Sequence, residues 1–250
     1  MAQQKTESKN QNKRNNETVK HVQLERKRPK LSKVNGSKQG NNKSNNQNKK
    51  NNNRRPKQNQ TKRDPKATLR IIPLGGLDAI GKNMTVFECK NDMVLDDAGL
   101  MFPDDDHPGI DLILPDYTYV LENADKLRGI IITHGHEDHT GALPYLLKDL
   151  GKQVPIYATK LTLGLIEGKL KEHKIKNAKL CEIKPGQTID LGCIKAEFFA
   201  VNHSIPDAVG VFYRSPAGNV LHMGDFKLDQ SPIDGVQTDF AALARFAKEG

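Results

Sequence analysis

Short apolar runs separated by Gly, Asp and Pro fill the chain from residue 68 onwards, and their spacing predicts its secondary structure. Runs rich in Val, Ile, Leu and Phe predict strands. These strands lie at residues 68–74, 84–89, 93–95, 129–133, 154–158, 178–182, 194–201, 208–213 and 220–223. Apolar residues at helical spacing predict helices at residues 141–150, 159–173 and 239–248. The strand at 129–133 is apolar on both faces, so we expect it to be central and buried.

The order of these elements predicts an α/β fold with two sheets faced by helices. A β-rich segment is followed by a helix, a strand, a second helix, another β-rich segment and a final helix. Sheets with an apolar face need another layer to cover it, and helices are the elements available here. The chain contains no internal repeat, and its periodicity alone specifies the topology no further.

Residues 1–66 differ sharply in composition from the rest of the chain. They contain 20 Lys and Arg against 4 Asp and Glu, whereas residues 67–250 contain 19 against 26. This Asn-, Lys- and Gln-rich segment cannot bury enough apolar surface to offset the entropy of ordering, so we predict a disordered tail. It is either a solubilising extension or an arm that adds salt-sensitive affinity for RNA or DNA. The residues predicted to contact RNA are Arg54, Arg55, Lys57, Lys62 and Arg63.

The cysteines and the absence of long apolar segments predict a cytoplasmic protein without membrane contacts. Cys89, Cys181 and Cys193 are odd in number and widely spaced, which fits neither a disulfide framework nor a zinc knuckle. We expect them to be reduced and to pack as small apolar side chains. The chain has no stretch of about 20 apolar residues and no secretory signal at its N-terminus.

The stretch Thr133–Gly141 (THGHEDHTG) carries the strongest chemical signal in the chain. His134 and His136 are two residues apart where a buried strand ends, and in extended geometry such side chains point to the same side. Two imidazoles can therefore converge on one cation, while Asp138 and His139 can face a second position. Imidazole and carboxylate ligands suit zinc, with manganese or iron as alternatives. The sequence therefore predicts a metal site after this strand.

A metal site also needs ligands from elsewhere in the fold, and two later positions offer them. His203 follows the apolar run AEFFAV, and Asp225 follows the run NVLHM. Both are placed as side chains at strand ends would be, although each alone could also be a polar residue that caps a strand. His222 is the closest alternative to His203, but its place inside a predicted strand is more typical of a structural histidine.

The series H-x-H-x-D-H, a later His and an Asp after Gly resembles the ligand series of the metallo-β-lactamase superfamily. The resemblance implies that one zinc ion is held by His134, His136 and His203. It implies that a second is held by Asp138 and His139, with Asp225 bridging both ions. Asp97 would support the site from outside the ligand shell, with Asp96 as the alternative at that position. The implied catalytic carboxylates are Asp97, Asp138 and Asp225, and the implied chemistry is hydrolysis by a hydroxide bridging two metal ions.

Further stretches resemble the bacterial ribonuclease J family, over residues 69–250. They are LGGLDAIGKN at 74–83, DAGLMFPDDDHPGIDLILPDYTYV at 97–120, HSIPD at 203–207 and GDFK at 224–227. One departure is that the family usually has Gly-Glu where this chain has Asp78-Ala79, so no role of that glutamate carries over. The resemblance implies endonuclease and 5′→3′ exonuclease action on single-stranded RNA, in RNA turnover and rRNA maturation. It also implies a homodimer or homotetramer that joins an RNA-degradation complex.

The resemblance further implies an αββα sandwich that is incomplete at its C-terminus. Residues 67–250 would be the N-terminal part of the metallo-β-lactamase domain, without the family's β-CASP and C-terminal domains. We therefore expect these residues to be weakly active or inactive as an isolated fragment. Two alternatives stay open, a small-molecule hydrolase of the thioesterase type and a truncated RNA-binding protein without catalytic activity.

The acidic turn that begins at Pro103 is a candidate for a second kind of cation. Carboxylates and backbone carbonyls in such a turn can hold a hard cation such as calcium, although a solvated turn has the same composition. The candidate calcium ligands are Asp104, Asp105, Asp106, Pro108 and Ile110.

Overall fold

The computed structural model describes residues 63–249 of the chain. Its strands are β1 (Leu69–Gly75), β2 (Met84–Cys89), β3 (Asp92–Asp96), β4 (Leu127–Ile131), β5 (Pro155–Ala158), β6 (Lys179–Glu182), β7 (Thr188–Leu191), β8 (Ile194–Ala200), β9 (Val209–Ser215) and β10 (Gly218–His222). Its helices are α1 (Thr118–Glu122), α2 (Glu137–Thr140), α3 (Leu143–Leu150), α4 (Lys160–Glu172) and α5 (Phe240–Glu249). Every predicted strand and helix is present. The apolar pattern missed the short elements α1, α2 and β7 and the 3₁₀ helix Ala124–Lys126.

The strands form two separate sheets. The first has six strands in the order β1-β2-β3-β4-β5-β6. It is antiparallel from β1 to β3 and parallel from β3 to β6. The second has four antiparallel strands in the order β10-β9-β8-β7. Because β3 and β4 are parallel neighbours, the segments that leave them emerge at the same edge of the sheet.

Three apolar clusters show how helices and sheets are layered. One joins the first sheet to helices α3 and α4, as in the contacts of Leu146 and Ile166. A second lies between the two sheets, where Phe87 meets Tyr213. The third packs α5 on the outer face of the second sheet through Phe246. The layers therefore run helix, sheet, sheet, helix, which confirms the predicted αββα sandwich.

Strand β4 is central, as its sequence predicted, and it orients the segment that follows. Ile130 and Ile132 pack in the cluster under α3 and α4, whereas Ile131 packs in the cluster between the sheets. All three are fully buried. A strand held on both faces gives residue 133 and its successors a rigid base at the edge of the sheet.

Residues 63–66, assigned to the tail from composition, form a turn against the folded part. The Asp64 amide donates to the Pro216 carbonyl at 2.9 Å, and the Asp64 carboxylate pairs with Lys90 at 3.2 Å. Arg63 approaches the Glu249 carbonyl at 3.5 Å. The remainder of the predicted tail, including Arg54, Arg55, Lys57 and Lys62, lies outside the described residues.

Two further expectations can be compared with the described part of the chain. All three cysteines lie within it, and all are free. Between residues 63 and 249, none of the helices has the length and apolar character that crossing a membrane requires.

Candidate metal centre

Two loops bring all the predicted ligands except Asp225 to one edge of the sandwich, and Asp225 comes from the segment that follows β10. The first ligand loop (residues 133–140) leaves β4, and the second ligand loop (residues 202–208) connects β8 to β9. The amide of Val209 donates to the carbonyl of Thr133 at 3.0 Å, which ties the second sheet to the first loop. The edges of both sheets therefore meet at this site.

Three imidazoles converge where the two loops meet. Nε2 of His134 lies 3.0 Å from Nδ1 of His136, and Nε2 of His203 lies 3.2 Å from the same atom. His134 is fully buried, and the other two are partly buried. Nδ1 of a neutral imidazole has a single lone pair or a single proton, so the Nδ1 atom of His136 cannot form a good hydrogen bond with both Nε2 atoms at once. This donor set fits a cation held between them.

A second group of donor atoms adjoins the first and shares His134 with it. Its members are His134, His139 and Asp225, whose ligand atoms all lie within 4.8 Å of one another. Oδ2 of Asp225 is 3.6 Å from Nε2 of His139 and 3.7 Å from Nε2 of His203. Asp225 therefore stands between the two groups, where a bridging ligand would be.

Asp138 lies beside this site but outside both groups. Its Oδ2 is 3.6 Å from Nε2 of His139 and accepts a hydrogen bond from the Asn83 amide at 3.1 Å. The same amide nitrogen is 3.0 Å from Nε2 of His139. Asn83 thus orients two of the predicted ligands. Its only sequence signal was its position at the end of the LGGLDAIGKN stretch.

Asp97 contacts His139 on the side of the ring opposite the potential ligand atom Nε2. Its Oδ2 lies 2.7 Å from Nδ1 of His139, and its Oδ1 accepts the backbone amide of Thr133 at 2.8 Å. Burial alone would lower the pKa of His139, but the carboxylates of Asp97, Asp138 and Asp225 outweigh it and raise that pKa to about 9. Asp97 holds a proton at Nδ1, so Nε2 is the nitrogen that faces the ligand side. The raised pKa keeps a second proton at Nε2 near neutral pH, and a bound cation would displace it.

His134 has the opposite electrostatic environment. Burial lowers its pKa most, and together with the neighbouring imidazoles of His139, His203 and His136 it brings that pKa to about 2. His134 is therefore neutral near pH 7 and keeps a lone pair for a cation. Burial lowers the pKa of His203 as well.

Among the described residues, Asp96 and His222, the two alternatives that the sequence left open, belong to neither group of potential ligands. Asp96 accepts a hydrogen bond from the Tyr213 hydroxyl at 2.6 Å, and the same oxygen lies 3.1 Å from Nδ1 of His222. These side chains line a cavity of about 300 Å³ whose wall also includes His139 and Asp225. The residue that contacts the ligand His139 is thus Asp97 and not Asp96, and the histidine that joins His134 and His136 is His203 and not His222.

The acidic turn has hydrogen-bond partners of its own. Oδ1 of Asp104 is 2.5 Å from Nδ1 of His107 and accepts the Asp106 amide at 3.2 Å. Among residues 63–249, the side chains of this turn belong to neither group of potential metal ligands. Calcium binding by Asp104, Asp105, Asp106, Pro108 and Ile110 stays a prediction.

Comparisons with known proteins agree with this geometry. The family model described as a beta-lactamase superfamily domain matches residues 107–241. Ribonuclease J of Corynebacterium glutamicum is 48% identical over 186 residues, which are 74% of this chain and 26% of that protein. Ribonuclease J of Thermus thermophilus is 44% identical over 199 residues, 77% of this chain and 35% of that protein. Ribonuclease J of Helicobacter pylori is 42% identical over 193 residues, which are 74% of this chain and 27% of that protein. The chain thus spans about a quarter to a third of these relatives.

Proposed function

Because the chain belongs to the beta-lactamase superfamily, whose family model matches more than half of it, we propose that it forms the metal-binding part of a ribonuclease of the ribonuclease J type. The observation that carries this proposal is the convergence of His134, His136 and His203 beside Asp225. The identity of 42–48% to proteins named ribonuclease J supports the choice of RNA as substrate.

The proposed metal is zinc, two ions per chain, because imidazole nitrogens dominate the donor set. Manganese is the alternative. His134, His136 and His203 would hold one ion, Asp138 and His139 would hold the other, and Asp225 lies where it could serve both. Two divalent cations held there would supply Lewis-acid activation of water and would offset negative charge on the phosphodiester oxygens.

The other polar side chains of the site position these ligands. Asp97 keeps a proton at Nδ1 of His139, so that the lone pair of Nε2 faces the centre. The Thr133 hydroxyl donates to Oδ2 of Asp97 at 2.9 Å and keeps that carboxylate in place. The amide of Asn83 fixes the carboxylate of Asp138. Each of these groups acts on a ligand and not on the substrate, so none of them is a catalytic base or acid in this proposal.

The finer features of the function are proposals of the same kind. The proposed activity is endonuclease and 5′→3′ exonuclease cleavage of single-stranded RNA, in RNA turnover and rRNA maturation. We propose a cytoplasmic homodimer or homotetramer within an RNA-degradation complex. The basic residues at the N-terminus, Arg63 among them, would add salt-sensitive attraction to the RNA backbone.

Metal analysis and RNA cleavage together test the proposal. The substrate is a 5′-monophosphorylated single-stranded RNA, and a thioester serves as the competing substrate. The proteins are the 250-residue chain and the product of the longest open reading frame that contains it, each also as His136→Ala and Asp138→Ala. We expect two metal ions per chain, and RNA cleavage by the longer product that both substitutions abolish. Thioester turnover with intact RNA would replace the ribonuclease by a small-molecule hydrolase. Salt-sensitive RNA binding without metal would indicate a non-catalytic protein.

A further inference from the structure

Helix α4 touches both ligand loops, which carry all the predicted metal ligands except Asp225. It runs from Lys160 to Glu172, and its buried face packs on the first sheet through Thr162, Ile166 and Leu170. Leu161, Leu165 and Lys169 are spaced by four residues, so they follow one another along a different stripe of the helix. Each residue of this stripe meets one of the ligand loops.

The N-terminal end of α4 is joined to the second ligand loop through Asp207. The backbone amide of Leu161 donates to Oδ2 of Asp207 at 3.2 Å, and the Thr159 hydroxyl donates to the Asp207 carbonyl at 2.9 Å. The first amides of a helix have no partner inside the helix, and a carboxylate there is also favoured by the helix dipole. Asp207 has φ 65°, a left-handed conformation that is unfavourable without Gly. Its bonds to α4 offset that cost.

The middle of α4 packs directly on the first ligand loop. A Cβ atom at Gly135 would overlap Cδ1 of Leu165 and would lie 3.3 Å from Cδ1 of Ile205. Gly135 stands between His134 and His136, and Ile205 belongs to the second ligand loop. Leu165 therefore fills the place where the two loops come together.

The C-terminal half of α4 holds the first ligand loop by charge. Nζ of Lys169 forms an ion pair with Oε2 of Glu137, with side-chain exposures of 20% and 43%. Glu137 lies between the predicted ligands His136 and Asp138, at the start of the four-residue helix α2. So short a helix is not stable by itself, which leaves its orientation to such contacts.

We infer that α4 is a strut that sets the distance between His203 and the pair His134 and His136, with Asp207 and Lys169 as its positioning residues. The inference rests on the proposed metal-binding function and adds residues that neither ligate nor touch the substrate. His203 comes from one loop and His134 and His136 from the other. Contacts of α4 with both loops therefore add to the Val209–Thr133 hydrogen bond in fixing the distance between these histidines. Asp207 fixes one loop to α4 and Lys169 fixes the other.

Reversing the charges of Glu137 and Lys169, singly and together, tests whether α4 positions the ligand loops. Cobalt(II) is titrated into the 250-residue chain, and its affinity and visible absorption spectrum are recorded for Glu137→Lys, Lys169→Glu and the double exchange. Lys171→Glu is the matched control, because Lys171 is exposed on the same helix and its side chain makes none of the loop contacts. Asp207→Ala and Asp207→Asn test the other end, since Asn keeps an acceptor for the Leu161 amide.

We expect Glu137→Lys, Lys169→Glu and Asp207→Ala each to lower cobalt affinity about 10-fold, the low end of the effect of losing a residue that supports a metal ligand. Each should also alter the visible absorption spectrum of bound cobalt. The double exchange and Asp207→Asn should restore most of both. Equal affinities in all variants while the wild type binds cobalt would overturn the strut alone, as would an equal loss in Lys171→Glu or a double exchange without recovery. A wild type that binds no cobalt would overturn the proposed function and the strut with it.

Discussion

Nδ1 of His139 lies 2.7 Å from Oδ2 of Asp97, and each of the two side chains is only 3% exposed. This contact fixes which nitrogen of His139 is left for a metal ion. We predict that Asp97→Asn lowers zinc affinity about 10- to 100-fold, the usual effect of losing the outer partner of a histidine ligand. Competition between the protein and a chelating dye for zinc measures the change.

Asp96→Asn is the matched control for Asp97→Asn. Both substitutions neutralise a buried carboxylate at the end of β3, but Asp96 contacts Tyr213 and His222 and not His139. Zinc affinity should therefore remain within about twofold of the wild type in Asp96→Asn, an estimate that follows from the lack of any contact with a ligand. An equal loss in both variants would mean that buried charge, and not the Asp97–His139 contact, governs affinity.

Metal removal should lower the stability of the fold. A ligand that binds only the folded state adds about 2.7 kcal/mol when its concentration is 100 times Kd. His203 is far from His134 and His136 in the chain, so these three histidines come together only on folding. We expect a chelator to lower the Tm of the wild type by more than that of His136→Ala, which lacks a ligand of one of the two proposed ions. Differential scanning fluorimetry with and without zinc compares the two, and an equal shift in His136→Ala would mean that His136 holds neither ion.

The sequence was most informative where the ligands are contiguous. The first ligand loop could be identified because His134 to His139 follow a strand whose three isoleucines mark it as buried. The predicted layers were also correct, since short apolar runs identify both sheets and apolar residues at helical spacing identify the helices α3, α4 and α5. Strand β7 was missed because it has only four residues, although exposed and less exposed positions alternate along Thr188–Leu191.

Contacts across the fold could not be predicted in the same way. Asp96 and Asp97 are neighbours in sequence, and only the packing of the two sheets decides that Asp97 meets His139 while Asp96 meets Tyr213. The pairing of Glu137 with Lys169 likewise depends on how α4 lies over the first ligand loop. These features depend on tertiary packing, which local periodicity does not encode.

Gly99 should be essential for the shape of the first ligand loop. A Cβ at this position would overlap the backbone carbonyl oxygen of Asp138 and would lie 2.9 Å from the backbone nitrogen of Asn83. That amide donates to the same carbonyl at 3.0 Å, so there is no flexible side chain that could move aside. We expect Gly99→Ala to destabilise the protein by about 1–3 kcal/mol, as overpacking does, and to weaken zinc binding. Urea denaturation and the zinc competition assay measure the two effects.

Gly164→Ala provides the comparison for Gly99→Ala. Gly164 lies inside α4, and no atom lies within 4 Å of the position that a Cβ would take there. Alanine is the better helix former by about 1 kcal/mol, so this variant should be slightly more stable than the wild type with unchanged zinc affinity. A similar loss of stability in both variants would show that the effect at Gly99 is not steric.

The pair of buried Asp96 and partly buried His222 should make stability depend on alkaline pH. The charge of Asp96 outweighs burial and raises the pKa of His222 to about 9, whereas a histidine in an unfolded chain has a pKa of about 6.5. The folded state thus binds the proton more tightly, so the contribution is complete below about pH 6.5 and is lost as the pH rises to about 9. Urea unfolding of zinc-saturated protein between pH 6 and pH 10 should show this fall in the wild type. The fall should be smaller in His222→Gln, which carries no titrating group there, and parallel curves for the two proteins would exclude His222 as its source.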